Sequence, residues 1–170
     1  MTHEYRGMRP DIDKATFVAE SAELAGDIRV GENASLWYHV SMRGDLARIE
    51  VGEESNIQDN AVVHVSPDVP TLIGSRVTVG HSAIIHACTI KDGCLIGMGA
   101  TVLDGSTIGE ESIVGAGALV TQNKEFPPRS LIIGSPAKAV RSLSEEEVKA
   151  VRENCDEYVE LARRYAESRR

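Results

Sequence analysis

Aromatic residues are scarce: they make up 4% of the 170 residues, with two Phe and one Trp. A core of this size must therefore be built from Val, Ile, Leu and Ala, and large aromatic layers are excluded. Cysteines number three, an odd count without metal-type spacing, so a disulfide framework and a cysteine metal knuckle are both excluded. Cys88, Cys94 and Cys155 read as small core residues in a reducing compartment, the cytoplasm. Basic charge is in the minority, giving a net charge of -8, and no basic stripe offers itself to nucleic acid. No apolar run reaches the length of a membrane span, and the opening "MTHEYRGMRP" lacks the apolar stretch of a secretion signal.

What the chain does have is a repeat. Aliphatic residues recur every six positions at Ile12, Val18, Leu24, Val30, Leu36 and Met42. The phase skips three residues and resumes at Val51, Ile57 and Val63, then skips four and resumes at Ile73, Val79 and Ile85. It loses one residue before Ile90 and continues through Ile96, Val102, Ile108, Val114 and Val120. Gly often follows, as at Gly31, Gly52, Gly74, Gly80, Gly97, Gly109 and Gly115.

A period of six is neither helical nor plain strand alternation. It fits a short strand plus a corner, with the aliphatic residue inward and a small residue where the chain bends. Three rungs close a triangular coil. The eighteen positions predict a parallel β-helix of about six coils, each ~4.8 Å above the last. This domain covers 1–137. Residues 138–170 form a connection and a C-terminal α-helix that packs along the prism. Pro- and Gly-rich "FPPRSLIIGSPAKAV" reads as the link. Ser144 and Glu147 make a capping box, Leu143 and Val148 a hydrophobic staple. Val148, Val151, Cys155, Val159 and Ala162 form the apolar stripe.

The register then places the histidines. Counting the inward residue as position i, Arg43, His64 and His86 all fall at i+1, one full turn apart, so they form one outward column. Neighbouring backbones ~4.8 Å apart allow two imidazole nitrogens to share a Zn2+ at ~2.0 Å. His81 falls at i+2 of the preceding rung, around the corner, with Gln58 beneath Gly80 and Trp37 below that. A convex prism cannot easily unite two faces of one chain, but a threefold ring of chains can. Three histidines with an open fourth position are the ligand set of a catalytic zinc, though Fe2+ or Co2+ would also accept them. His3 and His39 lack such register support and read as structural.

The hexapeptide register together with "RGD", "NIQDNAVVH" and "GHSAIIH" resembles the gamma-class carbonic anhydrases over nearly the whole chain. The resemblance implies a left-handed β-helix, a homotrimer, and zinc at the subunit interfaces. It places the metal ligands at His64, His81 and His86. It implies that metal-bound hydroxide hydrates carbon dioxide reversibly to bicarbonate, with Gln58 hydrogen-bonding the metal-bound water. Arg43 would hold the interface and bicarbonate, while Asp45 and Asp59 would form ion pairs and orient Arg43 and Gln58. Tyr158 is a candidate to line the site. The sequence departs from the family's best-studied members, which carry a glutamate-bearing acidic loop: here Leu46 follows Asp45, and Asp68 is the one acid in "VSPDVP". The rival readings are a hexapeptide-repeat acyltransferase with a single general-base histidine, a thioesterase, or a catalytically silent carbonic-anhydrase-like trimer.

Overall fold

The computed structural model describes residues 1–168. Inter-coil hydrogen bonding organises the chain into a parallel β-solenoid of about 7 turns with one C-terminal helix. The extra turn beyond the six expected comes from Phe126, over Ile108, and Ile132, over Val114, which continue the ladder past Val120.

The predicted register is the observed one. Met42 pairs with Val63, Val63 with Ile85 and Ile85 with Val102 on a first face. Val30, Val51, Ile73 and Ile90 stack on a second, and Leu36, Ile57, Val79 and Ile96 on a third. From Leu24 to Val120 every one of these inward residues is buried. Each such burial contributes about 1.5–3 kcal/mol. Ile12 and Val18, in the first coil, are only half-buried.

The bend differs in position from the expectation. The glycines at i+1 are not the corner; the left-handed backbone falls at i+3. Asn33, Glu54, Asn60, Arg76, Ser82, Glu111 and Asn123 take φ between 54° and 60° there, and Gly93, Gly99, Gly105 and Gly117 share the position. The i+1 glycines serve close approach between coils instead. A Cβ on Gly52 would lie 2.4 Å from the Gly74 carbonyl carbon.

On the first face the i+1 column holds Arg43, His64 and His86 rather than glycine, and the chain loosens there. All three breaks in the six-residue phase follow directly on these residues. The first is a bulge in the long strand Ser41–Val51, where Gly26 pairs Gly44 but Ile28 pairs Ile49. The second is the loop after His64, closed by a Ser66–Val69 bridge. The third is the residue lost after His86.

Residues read as a connection form Ser130–Gly134, the last parallel rung, and Ala137–Ser142, which pairs antiparallel with it and covers the last coil's edge. The solenoid sheet thus runs to Ser142, past the expected boundary at 137. The helix, α1 (Glu145–Ser168), then returns along the third face. Its contacts descend the prism: Glu145 with Arg129, Arg152 with Glu111, Asp156 with Arg76, Tyr158 with Trp37, and Tyr165 with Phe17. At ~1.5 Å per residue its length matches the stack of coils. Most of the scarce aromatics collect at the contact between helix and prism: Tyr158 and Tyr165 from the helix against Phe17, Trp37 and Tyr38. Val148, Val151, Cys155 and Ala162 are its buried positions, and Val159 is half-buried. Among the described residues no helix is long and apolar enough to cross a membrane.

The capping box is formed as expected: the Ser144 amide donates to Glu147 at 2.8 Å and the Glu147 amide donates to Ser144 Oγ at 3.2 Å. Arg141, with the Ser144 amide, pulls the Glu147 carboxyl from 4.5 down to about 2. A depressed folded-state pKa stabilises above pH 4.5 and loses that effect as pH falls toward 2. Thermal melts from pH 5 to 2 should therefore fall less steeply for Glu147→Gln than for the parent chain; parallel curves would contradict the cap's role.

Candidate metal centre

Two half-sites lie at opposite edges of the first face. At one edge, the strands Val62–His64 and Ile84–His86 pair in register, so His64 sits directly beside His86, with Arg43 one coil below. The two rings approach with His64 Nδ1 3.0 Å from His86 Nε2. Each ring's other nitrogen faces a carboxylate: His64 Nε2 lies 3.1 Å from Asp45 Oδ1, and His86 Nδ1 lies 3.1 Å from Asp104 Oδ2. Asp45, in the bulge, also accepts from Arg43. Burial pushes the Asp45 carboxyl up, but the hydrogen bonds from Arg43 and His64 outweigh it and hold it below the usual range. The Ser66 hydroxyl, aided by the backbone and His86, holds Asp104 low against its burial.

The carboxylate partners are the basis on which the ring tautomers are assigned. In the tautomers that have His64 Nε2–H donating to Asp45 and His86 Nδ1–H donating to Asp104, His64 Nδ1 and His86 Nε2 turn their lone pairs toward each other at 3.0 Å. Two such lone pairs repel unless a proton or a metal cation lies between them. Two imidazole nitrogens, each backed by a carboxylate on the far side of its ring, are the donor arrangement of a cation site. A divalent ion at ~2.0–2.1 Å from each nitrogen spans this separation. The residues present therefore fit a metal ion.

At the other edge, His81 stands in the corner between the third and first faces. Its Nδ1 lies 2.8 Å from Asp59 Oδ2, the same carboxylate-backed arrangement, leaving Nε2 outward. His81 opens on a cleft of about 390 Å3 whose lining includes Gln58, Leu95, Met98, Asn154 and Tyr158. Gln58 is 5% exposed and anchored: its Nε2 donates to Asn56 Oδ1 at 3.1 Å, Asn56 Nδ2 donates to Thr78 Oγ1 at 2.9 Å, and Thr78 Oγ1 donates to Asn154 Oδ1 at 3.2 Å. The helix thus steadies the Gln58 amide. Burial raises the Tyr158 hydroxyl's pKa, so it stays protonated beside the cleft.

One chain therefore brings Arg43, Asp45, His64 and His86 together, and separately Gln58, Asp59, His81 and Tyr158. Within one chain, among the described residues, no group of three or more His, Cys, Asp or Glu side chains is arranged to hold a metal ion. His3 pairs with Glu23 at 2.7 Å, and His39 occupies an i+3 corner. Sequence reasoning missed Ser66, Asp104, Asn56, Thr78 and Asn154. Asn56 and Thr78 were within reach of it: at i-1 they share the outward face of Gln58.

Residues 87–122 match the family model for the bacterial transferase hexapeptide, six repeats. With the observed solenoid, this makes the chain a hexapeptide-repeat protein. It is 45% identical over 163 residues to gamma carbonic anhydrase 2, mitochondrial, of Arabidopsis thaliana, spanning 92% of this chain and 59% of that protein's length. It is 50% identical over 151 residues to the probable carbonic anhydrase of Methanocaldococcus jannaschii, spanning 89% of this chain and 95% of that one. A crystal structure of a putative acetyltransferase from Bacillus cereus superposes with a TM-score of 0.95 at 39% identity, covering 98% of this chain and 97% of the other. The chain belongs to the gamma carbonic anhydrase family.

Of the three cysteines, Cys88 lies behind His86, facing the core, and all three are buried. Burial pushes Cys88 and Cys94 up to about 12 and Cys155 up to about 11, and all three are free. A thiolate is the reactive form. At pH 8 a thiol reagent should label none of them until the protein is unfolded; rapid labelling of folded protein would contradict the burial described.

Proposed function

We propose that this protein hydrates carbon dioxide reversibly to bicarbonate, at metal sites shared between the subunits of a homotrimer. The cation, zinc by preference over Fe2+ or Co2+, is held by His64 and His86 of one subunit and His81 of the partner subunit. The observation that carries this reading is the pair of carboxylate-backed imidazoles whose facing nitrogens lie 3.0 Å apart. A divalent ion on three imidazoles supplies a Lewis acid that lowers the pKa of its bound water to about 7.

The trimer is supported by the faces themselves. The third is covered by the helix. The second carries Arg29 and Glu50 outward, in register with each other. The first turns Ser41, Val62, Ile84, Thr101 and Leu119 outward in one column, and Val62 and Ile84 are 40% and 42% exposed. An apolar face with half-sites at both edges suits a heterologous contact that closes in a ring. The edge bearing His64 and His86 then meets the neighbour's edge bearing His81.

In that arrangement each residue has a physical task. Asp45 and Asp59 fix the tautomers of His64 and His81. Gln58, held from behind by Asn56, presents its amide to the reacting water. Leu95, Met98 and the Tyr158 ring give apolar walls suited to carbon dioxide. Arg43, steadied by Asp45, offers positive charge to the bicarbonate anion. Leu46 is 47% exposed beside Asp45, so the proton leaves to solvent or buffer rather than to a glutamate at that position. Acyl transfer, the activity for which the Bacillus cereus protein is named, uses one general-base histidine and gives no task to the facing pair. Three unpaired, buried thiols support a reducing compartment, the cytoplasm in our reading.

Stopped-flow carbon dioxide hydration on anaerobically prepared, metal-quantified protein tests the activity. His81→Ala should lose bound metal and hydration while keeping its β-sheet circular dichroism, because the side chain projects outward; full activity with metal retained would defeat the site assignment. Ile84→Asp should convert the trimer to monomer by light scattering and lose activity with it. An unchanged trimer would move the interface to another face.

A further inference from the structure

The proposed site assigns tasks to Asp45, on His64, and to Asp59, on His81, yet a third carboxylate touches the remaining imidazole, His86. Asp104 comes from the coil above His86, at i+2 of the Val102 rung. It uses both oxygens: Oδ1 accepts from the Ser66 hydroxyl, and Oδ2 lies 3.1 Å from His86 Nδ1. Its carboxyl cannot turn without losing one partner. His86 cannot flip its ring without moving carbon into the places of both Nδ1 and Nε2. Ser66 in turn begins the four-residue insertion after His64, a tight turn closed by backbone hydrogen bonds of 3.2 and 3.1 Å between Ser66 and Val69.

We infer that Asp104 is a positioning residue that locks the His86 ring with Nε2 toward the cation, and that Ser66 anchors Asp104 for this purpose. The inference rests on reading His64 and His86 as cation ligands. It supplies a reason for the insertion after His64, which carries Ser66, 38 residues away in sequence, up to Asp104. The pair is then braced from both sides: Asp45 below holds His64, and Asp104 above holds His86. The two rings are fixed in opposite senses, one presenting Nδ1 and the other Nε2.

The test is cation binding by the full-length trimer, stripped with chelator and titrated with Zn2+ and with Co2+. Asp104→Ala should weaken Zn2+ binding ~10–100-fold, the usual cost of removing such a partner, and alter the Co2+ visible spectrum. Asp104→Asn, which keeps an acceptor but not the charge, should fall between it and the parent. Ser66→Ala should shift binding in the same direction by less, and Asp68→Asn, on the same loop, should leave it unchanged. Melting of the stripped proteins should be alike. Equal Zn2+ affinity and identical Co2+ spectra in the parent, Asp104→Ala and Ser66→Ala would overturn this inference and leave the metal site standing. Affinity losses that merely follow losses in metal-free stability would overturn it too. A parent protein that binds neither ion would overturn both it and the site reading.

Discussion

Hydrogen bonds between successive coils govern everything else in this molecule. Each rung donates to and accepts from the rung one turn away, so a residue's neighbours lie about one turn along the chain rather than beside it in sequence. His64 and His86 are 22 residues apart in the chain but directly paired in the sheet. A side chain at i+1 inherits the side chains at i+1 above and below it. The backbone thus places two imidazoles within contact before any side-chain preference acts. A parallel sheet wound around a filled aliphatic core gives that placement little slack, since a one-residue slip would turn the core outward.

The second constraint is steric. At Gly52 and Gly74 the coils stack so closely that a side chain at i+1 would meet the backbone of the next coil. The column of Arg43, His64 and His86 lies instead where the stack opens. The three phase breaks after Arg43, His64 and His86 open one corner, in three successive coils, and each break contributes to the site. The bulge presents Asp45. The loop presents Ser66. The residue dropped after His86 leaves Ala87 with a positive φ of 47°, turning the chain sharply toward the second face. Irregularity in this solenoid is concentrated where the chemistry is proposed, while the later coils run without interruption from Ile90 to Ile132.

Much of this was legible from residue order alone. The aliphatic phase gave the faces, the pairing of His64 with His86, and the separation of His81. What was not legible falls into two kinds. Glycine after the aliphatic residue suggests the bend; the structure puts the left-handed turn at i+3, where Asn, Glu, Arg and Ser also adopt it, and uses the i+1 glycines for contact between coils. The other kind depends on tertiary placement. The Asp104 contact with His86 and the Asn154 contact with Thr78 arise from rotamers and from a helix that doubles back, neither of which a six-residue period encodes. The Pro- and Gly-rich stretch before the helix looked like a linker, yet Ala137–Ser142 pairs as an edge strand because the last coil's exposed hydrogen-bonding groups need a partner.

The central claim is that a working site is assembled from the edge of one chain and the opposite edge of another. Complementation measures this most directly. His81→Ala and His86→Ala chains, each inactive alone, are unfolded together, refolded as mixed trimers and assayed for carbon dioxide hydration and bound metal. The account predicts recovery of both toward about a quarter of the parent level, the share of interfaces that unite an intact His64 and His86 pair with an intact His81 in a closed ring. Mixed trimers that remain metal-free and inactive, with the parent chain recovering fully under the same refolding, would contradict it.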